Sequence, residues 1–78
     1  MIKRNYLAIV NDNFDPENTE FKNSLVDKDM RLEDHFPELG IIKLIAFTNG
    51  NTKIDASDLP FVEHLEIEGE VRIPPGEM

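Results

Sequence analysis

Three glutamates near the end of the chain have the spacing that most directly suggests a chemical role. Glu66, Glu68 and Glu70 occupy alternate positions of a segment typical of a strand, so their side chains would point to one face about 6.6 Å apart. One DNA strand advances about 3.4 Å per phosphate, so this acidic row matches about every second phosphate. The row predicts a surface that imitates a polyanion in a basic groove. The alternative is an edge strand that is kept charged so that other chains do not pair with it.

The two histidines offer less chemistry. His35 follows Asp34 and His64 follows Glu63, and a histidine beside a carboxylate can serve acid–base catalysis or hold a metal. Neither histidine has a serine or cysteine nucleophile beside it, or a second histidine four residues away. We therefore expect no catalytic residue, no metal site and no cofactor. An enzyme or metal-binding domain, the less favoured reading, would use Asp12, Asp15, Glu33 and His35.

The segment that begins at Asn11 resembles a calcium loop only in its first positions. Asn11, Asn13 and Asp15 supply oxygen side chains at positions one, three and five. Position six requires a glycine but holds Pro16, and position twelve requires a bidentate glutamate but holds Lys22. A turn followed by a helix cap explains the segment better.

Acidic residues are concentrated in two blocks, each with a net charge of −6, within a chain of net charge −8. One block covers residues 11–38, and the other covers residues 54–71, which contain no lysine or arginine. Such a chain repels nucleic acid and anionic membranes and attracts basic protein surfaces. The residues expected to bind a partner are Asp55, Asp58, Glu63, Glu66, Glu68 and Glu70.

The length of 78 residues predicts a single domain over residues 1–78. A chain of this size buries only about 60% of its unfolded surface, and it has no cysteine with which to add disulfides. We therefore expect a homodimer. Residues 3–10 are too short for a signal-peptide core or a membrane span, so the sequence favours a cytoplasmic protein.

Hydrophobic patterns predict the elements. Residues 3–10 are expected to form a strand buried on both sides from Tyr6 onward, and Asp15 and Pro16 mark the start of a helix over residues 16–27. A second turn or short helix is expected over residues 31–36.

The second half of the chain is expected to add strands. Residues 41–48 form the most apolar run and supply the candidate dimer interface, with edge-strand pairing as the alternative. Asn49-Gly50 predicts a hairpin to residues 51–54. Residues 62–73 alternate, with a bulge or close backbone approach at Gly69. The inward-pointing residues of this strand are expected to be Leu65, Ile67, Val71 and Ile73. The interface candidates are Ile41, Ile42, Leu44, Ile45 and Phe47.

These elements predict an α+β domain, with a four-stranded, mainly antiparallel sheet and one or two short helices on one face. The favoured function is a small acidic protein that neutralises a basic partner. It would act as a nucleic-acid mimic or as an inhibitor or immunity-type protein, of the kind that phages and mobile elements encode. A structural or dimerisation protein whose acidity serves solubility is the alternative.

Overall fold

The computed structural model describes residues 1–48 and 54–72, which form an α+β domain as predicted. The described residues contain a four-stranded sheet, one α-helix and one short 3₁₀ turn. In chain order the elements are β1 (Ile2–Val10), α1 (Thr19–Asp27), β2 (Met30–Phe36), β3 (Ile41–Thr48), the 3₁₀ turn (Ala56–Asp58) and β4 (Val62–Arg72).

The sheet has the strand order β2-β3-β1-β4, and every neighbouring pair is antiparallel. Strand β1 is therefore an inner strand although it comes first in the chain. Tyr6 pairs with Leu44 of β3 on one side and with Ile67 of β4 on the other. Strands β2 and β4 form the two edges of the sheet.

One face of the sheet is buried and is called the covered face. It carries Tyr6 and Ala8 of β1 and Ile42 and Leu44 of β3, all at most 3% exposed. Phe21 of α1 packs against this face within the core cluster. The other core members are Val10, Leu25, Met30, Ala46 and Leu59.

The opposite face, called the open face, is not covered by any described helix or strand. Ile9 is 42% exposed and Leu7 is half-buried. The expectation that β1 is buried on both sides from Tyr6 onward is therefore wrong. Both α1 and Leu59, from the connection between β3 and β4, belong to the core on the covered face.

Helix α1 begins three residues later than predicted. The Asn18 side chain caps it by accepting a hydrogen bond from the backbone N–H of Phe21 at 3.0 Å. Asp15 instead accepts from the N–H of Glu17 at 2.9 Å, which holds a turn before the helix. Because Asn18 satisfies a free N–H group of the first turn, the helix starts there.

Residues 31–36 are strand β2, so the predicted second helix is wrong. Asp29 adopts a left-handed backbone conformation with φ of 53° immediately after the helix cap at Lys28. The chain then turns back, and Met30 pairs with Ala46 of β3. The segment is a strand because it pairs with β3 and buries Met30, which is 3% exposed. These tertiary contacts outweigh the local preference for a turn or helix.

The predicted hairpin at Asn49-Gly50 lies outside the described residues. Ile54, expected at the end of its second strand, is not in a strand and packs against the core. The connection joins the end of β3 to the beginning of β4 at the opposite end of the sheet. Among the described residues no helix is long and apolar enough to cross a membrane.

The covered face yields a test of the packing. Phe21→Ala should lower the free energy of unfolding by about 3–5 kcal/mol, because the fully buried ring leaves a cavity. Val26→Ala on the same helix should change it by no more than about 0.5 kcal/mol, because Val26 is 73% exposed. Urea unfolding of both variants measures the difference, and equal losses would contradict the assignment of the covered face.

Candidate functional site

The acidic row does not lie on one face of the sheet. Glu66 pairs with Leu7 on the open face, whereas Glu70 pairs with Arg4, which shares the covered face with Tyr6. The register between β1 and β4 shifts here, because Asn5 pairs with Gly69 whereas the next residue, Tyr6, pairs with Ile67. Glu68 is therefore an extra residue on β4. The predicted bulge beside Gly69 is thus confirmed, and it reverses the alternation of the side chains that follow it.

Each glutamate of the acidic row has a cationic or imidazole neighbour. Arg4 Nε donates to Glu70 Oε1 at 3.1 Å, and this hydrogen bond raises the pKa of Arg4 above its usual value. Lys43 Nζ lies 3.7 Å from Glu68 Oε1, and His64 Nε2 lies 3.5 Å from Glu66 Oε2. The segment lacks lysine and arginine, but β1 and, across it, β3 bring Arg4 and Lys43 to it.

The apolar residues of β4 are also placed differently from the expectation. Ile67 pairs with Tyr6 on the covered face, the predicted inward side, but it is 58% exposed, and Val71, also predicted to point inward, is 54% exposed. Val71 pairs with Lys3 on the open face because it follows the bulge. Ile73 lies outside the described residues. A Cβ built on Gly69 would meet the Asn5 side chain at an ordinary 3.8 Å, so the glycine reflects the bulge rather than a close approach.

Carboxylates from several segments lie at one end of the sheet. At this end Val10 N–H donates to Gly40 O, and Asn11 N–H donates to Phe61 O, both at 2.9 Å. The loops on both sides of β1 therefore meet here, together with the segment leading into α1. The exposed acids that these segments contribute, called the acidic end, are Asp12, Asp15, Glu17, Glu38 and Glu63.

One described ion pair belongs to the acidic end: Lys22 Nζ lies 2.7 Å from Glu17 Oε2. Both side chains are more than half exposed, so the pair neutralises little of the local charge. Glu63, a predicted partner-binding residue, is exposed where β4 begins. The acidic end thus joins one member of the second acidic block to four of the first.

Asp55 and Asp58 are exposed and also have a structural role. The Asp58 side chain accepts a hydrogen bond from the Asp55 N–H at 2.8 Å and so closes the 3₁₀ turn. Leu59, which follows this turn, is buried in the core at 4% exposure. These two predicted binding residues therefore help to hold the connection against the covered face.

The residues that an enzyme or metal site would use are not gathered into a cluster. His35 is half-buried, and its ring lies edge-on to Phe14 with centroids 5.1 Å apart. Asp15 uses a carboxylate oxygen for its own turn. No group of three or more histidine, aspartate and glutamate side chains within residues 1–48 and 54–72 is arranged to hold a metal ion.

A depression of about 580 Å³ lies at the opposite end of the sheet. Its charged lining residues are Lys28, Asp29 and Arg31, beside apolar residues such as Met30 and Phe47. No predicted site residue lines it. This end therefore carries both signs of charge, in contrast to the acidic end.

Comparison of the chain with protein-family models, with curated proteins and with solved structures gave no match. The site is therefore interpreted from its own geometry.

Calcium gives a test of the Asn11 segment. Asn11 Oδ1 accepts from the Asn13 N–H at 2.9 Å, so this oxygen, like that of Asp15, already serves a backbone turn. Millimolar calcium should leave the amide NMR shifts of residues 11–22 unchanged, because Pro16 and Lys22 occupy the two strict positions of the loop. Magnesium at equal ionic strength is the control, and saturable shifts with calcium alone would contradict this reading.

Proposed function

We propose that the protein binds a basic partner protein and neutralises its cationic surface with the acidic end. The observation that carries the proposal is the convergence of five exposed carboxylates from separate segments at one end of the sheet. The partner is a nucleic-acid-binding protein or a basic enzyme, and the protein acts as a polyanion mimic or inhibitor without a catalytic residue.

The uneven distribution of charge supports this proposal over solubility alone. Cations occur at the end of the sheet opposite the acidic end, where Lys3, Arg4, Lys28 and Arg31 lie close to Asp29 and Glu70. A surface that serves solubility needs only interspersed charges. A patch with a large excess of negative charge at one end, where Lys22 is paired with Glu17, instead creates a field that orients and accelerates encounter with a basic surface.

The acidic row is the second candidate surface for the same function. Its glutamates are exposed, but they are divided between two faces and lie near Arg4, Lys43 and His64. Cations within a few ångströms weaken the outward field of a carboxylate. We therefore place the acidic end first, and we place the activity in the cytoplasm, in keeping with a chain that has no cysteine.

Two variants that remove equal charge from different surfaces test the proposal. The end variant is D12N/E38Q/E63Q, and the row variant is E66Q/E68Q/E70Q. The partner is first captured from host lysate at low salt and released at high salt, and each variant is then titrated with it at several salt concentrations. The end variant should bind roughly tenfold more weakly and with a flatter salt dependence, because fewer ions are exchanged.

The comparison of the two variants assigns the surface. A loss confined to the row variant would move the site to β4. Equal small losses would mean that only net charge matters, and no loss in either variant would contradict the proposed function. Melting curves of both variants confirm that the fold is retained.

A further inference from the structure

The open face has an apolar centre that none of the described helices or strands covers. Alternate residues of the two inner strands lie there, since their neighbours in sequence are buried on the covered face. All of them are half-buried or exposed, and Ile9 reaches 42% exposure. The apolar residues of this centre are Leu7, Ile9, Ile41, Ile45 and Phe47, and Lys43 lies between Ile41 and Ile45 on the same face of β3.

Charges around the apolar centre are nearly balanced. Register places Arg31 beside Ile45 and Asp34 beside Lys43, and it places Glu66 beside Leu7. The charged residues described on this face are three cations and four acids, in a chain of net charge −8, and Glu33 is counted as the extra residue where β2 shifts its register: Lys3, Arg31 and Lys43, with Glu33, Asp34, Glu66 and Glu68. This surface is therefore one on which two equally acidic copies can approach without strong repulsion.

We infer that the open face packs against the open face of a second copy, forming a twofold dimer of stacked sheets. Four strands spaced about 4.8 Å apart and about eight residues long present a face of roughly 500 Å² per subunit, with sheets about 10 Å apart. Burial from both subunits reaches roughly 1,000 Å², which is the minimum that a specific interface should clear. Of the five expected interface residues, Ile42 and Leu44 are fully buried inside the subunit, so Ile41, Ile45 and Phe47 remain.

The direction of the twofold axis follows from charge. An axis parallel to the strands would bring the two acidic ends together, whereas an axis across the strands separates them. An axis across the strands at the level of Tyr6 also places β2 over β2 of the second copy. Through β3, Arg31 is level with Asn5, one residue before Tyr6, and Asp34 is level with Leu7, one residue after it. A half-turn about this axis therefore places Arg31 of one copy opposite Asp34 of the other.

The same axis matches apolar residues at the two ends of β3, and it places the aliphatic parts of Lys43 and Lys3 against Ile45 and Ile9 of the second copy. Phe47 pairs with Lys3, three residues before Tyr6, and Ile41 pairs with Ile9, three residues after Tyr6. Phe47 of one copy therefore faces Ile41 of the other. The Arg31 guanidinium lies 5.6 Å from the Phe47 ring centroid, so it covers that ring at the rim of the interface. This inference is independent of the proposed function, because it leaves both acidic ends free.

Sedimentation equilibrium of the full chain between 1 and about 200 µM tests the inference. Wild type should reach twice the 9.0 kDa subunit mass. Ile45→Glu should be monomeric, because it buries an unpaired charge at the interface. Val26→Glu, the same type of change on the exposed helix surface, should remain dimeric. Circular dichroism and thermal melting verify that both variants fold.

A charge exchange tests the orientation of the axis. Arg31→Asp and Asp34→Arg should each weaken dimerisation about tenfold, because each leaves two like charges facing each other across the interface. The double variant should return to within about threefold of wild type. This restoration is specific to the crossed arrangement, since a strand-parallel axis does not bring the two residues together.

The remaining outcomes overturn the inference. A wild type that stays monomeric at 200 µM would show that no second copy occupies the open face. A dimer that Ile45→Glu leaves intact would place the interface elsewhere, such as at an edge strand. A dimer that dissociates when the captured basic partner binds, with loss of partner binding in Ile45→Glu, would assign the open face to that partner. Failure of the double variant to recover would overturn the crossed orientation.

Discussion

The alternation of side chains along β1 is the constraint on which the rest of the structure depends. This strand pairs with β3 on one side and β4 on the other, so its backbone hydrogen-bonding groups are satisfied. Its side chains therefore determine which face of the strand is buried. Tyr6 and Ala8 point toward α1 and the 3₁₀ connection, and the core forms around them. A slip of one residue would expose both and turn Leu7 and Ile9 inward, against a helix that has no space for them. The covered and open faces are two consequences of this single register.

Strongly apolar segments were predictable from sequence, and segments whose state depends on a distant partner were not. Strands β1, β3 and β4 follow from hydrophobic runs and alternation, and a helix within residues 16–27 follows from its start signals. The β2 segment has few apolar residues, and its strand conformation comes from pairing with β3 after the left-handed turn at Asp29. The helix start was misplaced because both Asp15 and Asn18 are good capping residues, and only the geometry shows which one reaches the first turn.

The same distinction holds for the candidate site. Counting acids identified the two acidic blocks, but of the residues predicted to bind a partner only Glu63 lies in the acidic end, because the arrangement depends on contacts distant in sequence. The bulge at Glu68 divides the acidic row, and only the strand register shows that Arg4 lies beside Glu70. Glycine at position 69 was the one local signal of this irregularity. The acidic end could not be predicted from sequence, because it requires the Asn11 loop, the turn before Gly40 and the start of β4 to meet in space.

The inner position of β1 has a consequence for how the chain is made. This strand is synthesised before both strands that pair with it: β3 begins about thirty residues later, and β4 follows after a further connection. Helix α1 and the β2–β3 pair involve short sequence separations, so their contacts close shorter loops than those of β1 with β3. Until β3 is complete, β1 is an unpaired apolar segment near the ribosome, available to other chains. Folding speed and aggregation during translation therefore depend on this one strand, and slowing synthesis between β1 and β3 prolongs its exposure.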